Sequence, residues 1–245
     1  MSVFFPAYND APSLPKLVET TFEVLCPRVP DFEVIVVNDG SYDNTAEVLA
    51  GLERKYAPRM RVVTHPRNRG YGGALRSGFA AATKELVFYT DGDGQYDVRE
   101  LPKLLELMED DVGLVNGYKL ERNDPRHRIW IGNAYNRFAR FLFGIGIRDV
   151  DCDFRLIRRS LLEKIKLFST SGTICVELVR KLELSGYRVE EAGVRHYPRL
   201  HGRSQFFRIR SLLKTFFQLA RLYLSVRSLL LLVDCQNVLP CRFPL

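Results

Sequence analysis

The chain has 245 residues, 46% of them hydrophobic, enough to bury a full core in one large domain with appendages. Its net charge of +7 is concentrated: between Arg195 and Val233 stand seven arginines and one lysine with no acidic residue, which leaves the rest of the chain at −1. A near-neutral body with one basic segment argues against a nucleic-acid-binding protein and for a localised anionic partner, and the Phe and Leu interleaved with the arginines favour a membrane surface with anionic lipid.

In chain order, short apolar runs at residues 3–5, 32–37, 61–64, 86–90 and 112–117 predict strands. Amphipathic stretches at 14–25, 45–56, 72–83 and 101–108 predict helices between them. This alternation predicts an α/β fold with a mostly parallel central sheet flanked by helices, its ligands gathered at the carboxyl ends of the strands. The polar residues after those strands should therefore converge: Tyr8, Asn9 and Asp10; Asn38, Asp39, Gly40 and Ser41; Asp91 and Asp93. Beyond Tyr118 the pattern loosens into a charged loop at 121–126 and a basic-aromatic stretch to Phe143. Residues 126–143 fit either an interfacial helix or a core helix with exposed arginines. An acidic segment at 149–155, a helix at 174–185 and a strand at 188–197 follow.

Residues 206–233 read as one helix, with Arg210, Lys214, Gln218, Arg221, Ser225 and Ser228 in a stripe about 80° wide at 100° per residue. The wide apolar arc opposite that stripe suits a helix lying in a bilayer interface. Lys214, Arg221 and Arg227 interrupt the run of about 20 apolar residues that spanning would need. Residues 234–245 show no periodicity. The five cysteines lack paired spacing, and no signal-peptide pattern opens the chain, so free thiols in a reducing compartment are expected. His196 and His201 have no ligand-type neighbours and are read as ordinary histidines.

Chemistry shows most plainly at Asp91, Gly92, Asp93 and Gly94, where two carboxylates alternate at the end of a core strand. Alternate residues of an extended chain face the same side, so both suit one hard divalent cation holding a diphosphate. The glycines let the turn approach a ligand closely. An EF-hand loop beginning at Asp91 is excluded, because its sixth and twelfth positions are Tyr96 and Pro102 rather than Gly and Glu.

With these motifs the chain resembles the family-2 glycosyltransferases of GT-A fold, and among them the polyprenyl-phosphate (dolichol-phosphate type) hexosyltransferases, over residues 2 to about 230. Phe5 to Asp10 resembles the family's opening strand and turn, with Pro6 ending the strand and Ala7, Tyr8 and Asn9 near base and ribose. Val36 to Ser41 resembles the second nucleotide element, in which Asp39 accepts from base or ribose. Asn68 to Ala74, with Gly70, resembles the glycine-rich turn near the diphosphate. Asp91, Gly92, Asp93 and Gln95 match the metal and nucleotide-sugar motif, implying Mg²⁺ or Mn²⁺ on Asp91 and Asp93.

Asp149 to Arg155 resembles the acceptor-side motif, its catalytic carboxylate open between Asp149 and Asp151, with Asp149 favoured by spacing to Phe154. Tyr197 to Ser204 resembles a flexible arm whose Arg199 and Arg203 contact phosphate; Gln205 stands where the family often has lysine. The resemblance implies a glycosyltransferase domain over 1–205, split near 118 into nucleotide and acceptor halves, an interface helix over 206–233 and an unassigned tail. It implies inverting, metal-dependent transfer from a nucleotide-diphosphate sugar donor to a polyprenyl-phosphate acceptor, peripherally at the cytoplasmic membrane face. Transfer to a glycan hydroxyl, or a catalytically silent binding module, remain as alternatives.

Overall fold

The computed structural model describes residues 1–122, 126–199, 215 and 217–224. Met1–Ser204 form one compact unit and Gln205–Leu245 a second. In the second unit, residues 215 and 217–224 are helical, within the predicted 206–233 helix; the rest of that helix lies outside the described residues.

The first unit is a seven-stranded sheet in the order β3-β2-β1-β4-β6-β5-β7. Its strands are β1 (Ser2–Ala7), β2 (Glu33–Asn38), β3 (Met60–Thr64), β4 (Leu86–Thr90), β5 (Val112–Arg122), β6 (Phe154–Arg158) and β7 (Arg188–His196). The four strands from β3 to β4 run parallel; β6 is antiparallel to both β4 and β5, and β7 is parallel to β5. All six residues of β1 are buried, as a strand covered on both faces requires. On one side Val3, Phe5, Val34, Val36, Phe88 and Phe154 join the main core. On the other, the Phe4 ring meets Phe79 and Tyr89 at centroid separations of 5.1 and 5.3 Å.

Pro6 does not end β1, which runs on to Ala7 in register with Asn38. Proline fits here because the β1–β4 ladder stops at Phe4↔Tyr89. The position of its missing N–H faces β4 beyond that stop, where the Pro6 carbonyl accepts from Gly92 N–H at 3.1 Å.

The helices are α1 (Leu14–Leu25), α2 (Thr45–Tyr56), α3 (Tyr71–Ala81), α4 (Leu101–Glu106), α5 (Arg126–Phe143), α6 (Arg159–Leu162) and α7 (Thr173–Glu183). The first turn of α3 lies against the loop before α7: Gly72 N–H donates to the Thr170 carbonyl at 3.2 Å, and a Cβ on Gly72 would stand 2.2 Å from the Ser169 carbonyl oxygen. That loop is held by Glu177 of α7, which is 1% exposed and accepts from the backbone N–H of Phe168 and Ser169 and from Lys181 Nζ. Burial alone would raise the Glu177 carboxyl, but Lys181 and the Ser169 amide outweigh it and hold it low. Because backbone cannot yield as a side chain does, Gly72→Ala should cost about 2–3 kcal/mol, seen as a lowered Tm with an unchanged far-ultraviolet spectrum.

Candidate active site

The three polar turns meet at the carboxyl edge of the sheet. Asp39 N–H donates to the Ala7 carbonyl at 2.9 Å, Asn9 N–H to Ser41 Oγ at 3.0 Å, and Tyr42 N–H to Asn9 Oδ1 at 2.9 Å. Asn9 holds this position with φ of 58°, a left-handed conformation that asparagine tolerates. The rings of Tyr8 and Tyr42 meet edge to face at 6.0 Å, and Tyr42 is 81% exposed. Tyr42 is a candidate that the sequence motifs did not mark.

Asp39, expected to meet base or ribose, is 3% exposed and directs its carboxylate inward. Its Oδ1 accepts from Arg69 N–H at 2.8 Å and its Oδ2 from Gly70 N–H at 2.9 Å. His65 Nδ1 lies 2.6 Å from Oδ1, and His65 Nε2 lies 2.8 Å from Ser77 Oγ. Asp39 therefore shapes the glycine-rich loop that opens α3, where Gly70 has φ of 81°.

Gly92 ties the acidic turn to β1, since a Cβ there would lie 2.7 Å from the Pro6 carbonyl oxygen. The Asp91 Oδ1 accepts from Tyr71 Oη at 2.8 Å. Asp93 is 7% exposed; its Oδ1 accepts from Gln95 N–H at 2.9 Å and its Oδ2 pairs with Arg199 Nη2. Gln95 braces the arm, donating from Nε2 to the Tyr197 carbonyl at 3.1 Å and accepting from Arg199 Nε at 3.4 Å. Burial, then the charges of Asp153 and Asp93, raise the Asp91 carboxyl well above its ordinary range.

Asp10 completes the acidic edge. Burial raises its carboxyl from 3.8 to about 6, a bond from Tyr8 N–H opposes the rise, and the Asp93 charge adds to it. A carboxyl raised on folding contributes stability fully present below 3.8 and lost as pH climbs through about 6. Asp10→Asn should therefore raise the Tm at pH 7.5, by an amount equivalent to about 2 kcal/mol, and leave it unchanged at pH 3.5. Paired thermal melts at the two pH values check this.

The segment at 149–155 separates its three carboxylates. Asp149 is 5% exposed, and its Oδ2 lies 3.5 Å from Lys119 Nζ while its Oδ1 accepts from Asp151 N–H at 3.1 Å. It thus lies in an ion pair that closes the turn, whereas the motif spacing favoured it as the carboxylate nearest the acceptor. Asp151 carries charge that acts on Tyr135 of α5, and its carbonyl accepts from Lys119 Nζ at 2.6 Å.

Asp153 was not singled out from the sequence. The β4–β6 ladder runs from Leu86↔Arg158 to Thr90↔Phe154, so Asp91 and Asp153 each adjoin its last pair, and the Asp153 charge acts on Asp91. Asp153 Oδ1 accepts from Arg155 Nη1 at 3.1 Å, from Cys175 Sγ at 3.2 Å and from Tyr89 Oη at 3.4 Å. Arg155 has no exposed surface and also donates to Asn116 Oδ1 at 2.6 Å and to the Val150 carbonyl. Carboxylates from two separate acidic segments are thereby brought together at the ends of two hydrogen-bonded strands.

Asp91 and Asp93 offer hard oxygen donors in a field of excess negative charge, which suits Mg²⁺ or Mn²⁺. Among the described residues no group of three or more His, Cys, Asp or Glu side chains is arranged to hold an ion. Two carboxylates, with ligand phosphates completing the shell, match the way Mg²⁺ is commonly held. Arg203 lies outside the described residues, so of the predicted phosphate-binding pair only Arg199 is placed.

Comparison with known proteins agrees with this architecture. Residues 2–166 match the model of glycosyl transferase family 2. An undecaprenyl-phosphate 4-deoxy-4-formamido-L-arabinose transferase of Pseudomonas aeruginosa is 30% identical over 212 residues, covering 86% of this chain and 62% of that protein. The like-named protein of Yersinia enterocolitica is 28% identical over 206 residues, covering 84% and 62%. The chain thus spans just over three-fifths of the length of these curated relatives.

Among solved structures, a mannosyltransferase of Pyrobaculum calidifontis in complex with GDP-Man and Mn²⁺ is 25% identical, with TM-score 0.65 over 90% of this chain and 64% of that one. A glucosyl-3-phosphoglycerate synthase of Mycobacterium tuberculosis, at 19% identity and TM-score 0.66, covers 91% and 78% and shares the fold. The sheet order, the acidic turn after β4 and the match over most of its length place this chain in glycosyl transferase family 2, with the GT-A fold.

Proposed function

We propose that this chain transfers a hexose from a nucleotide-diphosphate sugar, of the UDP-glucose or GDP-mannose type, to a polyprenyl phosphate. The observation that carries this reading is the nearness of Asp91 and Asp153 at the adjoining ends of β4 and β6, which in this reading sets a donor-diphosphate site against an acceptor site. The curated relatives, named as undecaprenyl-phosphate sugar transferases, support the acceptor class.

In this reading Tyr8 and Tyr42 flank the base, Asn9 fixes their turns, and the loop at Gly70, held by Asp39, lies beside the diphosphate. Asp91 and Asp93 would hold Mg²⁺ or Mn²⁺. When bound there, the cation supplies Lewis-acid stabilisation of the departing nucleoside diphosphate. Arg199, seated on Asp93 through one nitrogen, has further N–H donors for phosphate oxygens. The acceptor oxygen attacks the anomeric carbon opposite the leaving diphosphate, forming the new C–O bond as the old one breaks, so the configuration inverts. An acceptor phosphate is ionised at neutral pH, so Asp153 and Asp151 orient it or its counter-ion rather than remove a proton. The enzyme works peripherally at the cytoplasmic face of a membrane.

A second reading, transfer to a hydroxyl, is favoured by the crowding of carboxylates on the acceptor side, where one would serve as general base. Donor binding tests what both readings share. Titration calorimetry with UDP and GDP should show one of the two binding with Mn²⁺ or Mg²⁺ present and losing most of its affinity in EDTA. No binding of either nucleotide under any metal condition would sink both readings.

A further inference from the structure

We infer that the outer face of α5 is a lipid-docking surface, which seats the acceptor side of the domain on an anionic bilayer. The two faces of this helix differ sharply. Inward, Ala139 is wholly buried, Phe143 is 4% exposed, and Asn136 clamps the acidic segment, donating to the Arg148 carbonyl at 2.7 Å and accepting from Val150 N–H at 3.0 Å. Outward, Trp130 is 74% exposed, Phe138 52% and Phe141 87%, with Ala134 and Arg137 also exposed. At 100° per residue these five positions fall within an arc of about 100°.

Three bare aromatic rings on one stripe are unfavourable in water and suited to the boundary between headgroups and acyl chains. The helix sequence also carries four arginines and no acidic residue. That charge complements anionic headgroups, and guanidinium groups pair readily with phosphate. The same basic sequence, with Arg137 exposed on the stripe, opposes docking on a second copy, which would set like charge against like. Among the described residues no helix is long and apolar enough to cross a membrane, so α5 lies on the lipid rather than through it.

This inference rests on the proposed lipid-phosphate acceptor and deepens it. Asn136 and the exposed stripe belong to one helix, about 10–12 Å across with its side chains, so lipid on its outer face stands one helix diameter from the acidic segment.

Trp130 is the chain's single tryptophan, which makes the test specific to this face. With vesicles of phosphatidylcholine and phosphatidylglycerol, its emission should shift to the blue and be quenched by acyl-brominated lipid. Both effects should weaken in pure phosphatidylcholine. The Phe138→Ser/Phe141→Ser protein should lose vesicle partitioning by on the order of 10–100-fold, while still glycosylating a short, water-soluble isoprenyl phosphate. Protein that sediments with vesicles while Trp130 stays unshifted and unquenched would overturn the inference. So would a blue shift that grows with protein concentration without vesicles, since a second copy would then cover the face. Quenching of Trp130 together with failure of every isoprenyl phosphate as acceptor would leave the docking surface standing and remove the acceptor reading.

Discussion

Asp91→Asn is expected to lower the transfer rate by on the order of a thousandfold without lowering the Tm. The amide keeps an oxygen for Tyr71 Oη, which now bonds Asp91 Oδ1 at 2.8 Å, so the local geometry survives. What disappears is the charge that holds the cation against the leaving diphosphate. Stability should hold because that charge is unfavourable in the protein alone, being buried and facing Asp153 and Asp93. Steady-state kinetics beside thermal melts separate the two effects. A variant that keeps wild-type turnover would remove Asp91 from the chemistry, and one that melts early would make it a structural residue.

Asp153→Asn and Asp149→Asn should part company. Asp153→Asn is expected to reduce kcat by roughly 10²–10³-fold with little change in the donor KM, since the proposed function gives its carboxylate to the acceptor. Asp149→Asn should act mainly on stability, by about 1–3 kcal/mol, because it weakens the pairing with Lys119 and the bond from Asp151 N–H. The reverse assignment, with catalysis lost at Asp149 and retained at Asp153, would return the acceptor role to the residue that the motif spacing favoured. Arg155 sets a control. It has no exposed surface, and Arg155→Met would strip donors from Asp153, Asn116 and the Val150 carbonyl together. Damage to both stability and rate is expected there, unlike the selective loss at Asp153.

Much of the nucleotide half was legible because its signals are local. Buried apolar runs alternating with amphipathic stretches marked β1 to β4 and α1 to α3 within a few residues. Their parallel order then places the acidic turns at one edge. What could not be read depended on partners distant in sequence. β6 carries two arginines in five residues and follows a run of aspartates, so its pattern does not suggest a core strand. Without β6 as the antiparallel neighbour of β4, nothing sets Asp153 near Asp91, 62 positions earlier in the chain.

Asp39 illustrates the same limit. Its motif does not name the partners of its carboxylate, His65, Arg69 and Gly70, which lie 26 to 31 residues downstream. The motif at residues 5–10 suggests that Pro6 ends β1. Only the early stop of the β1–β4 ladder shows why its missing N–H is harmless. Glu177 stands at a position whose burial no local pattern marks, and it holds the loop against which Gly72 packs.

The most direct measurement incubates the chain with radiolabelled UDP-glucose and GDP-mannose, Mn²⁺ and a polyprenyl phosphate, then partitions the products between chloroform and water. The account predicts label in the chloroform phase from one of these donors, abolished by EDTA and by Asp91→Asn. Label that reaches only water-soluble acceptors, or is simply hydrolysed, would contradict transfer to a lipid phosphate.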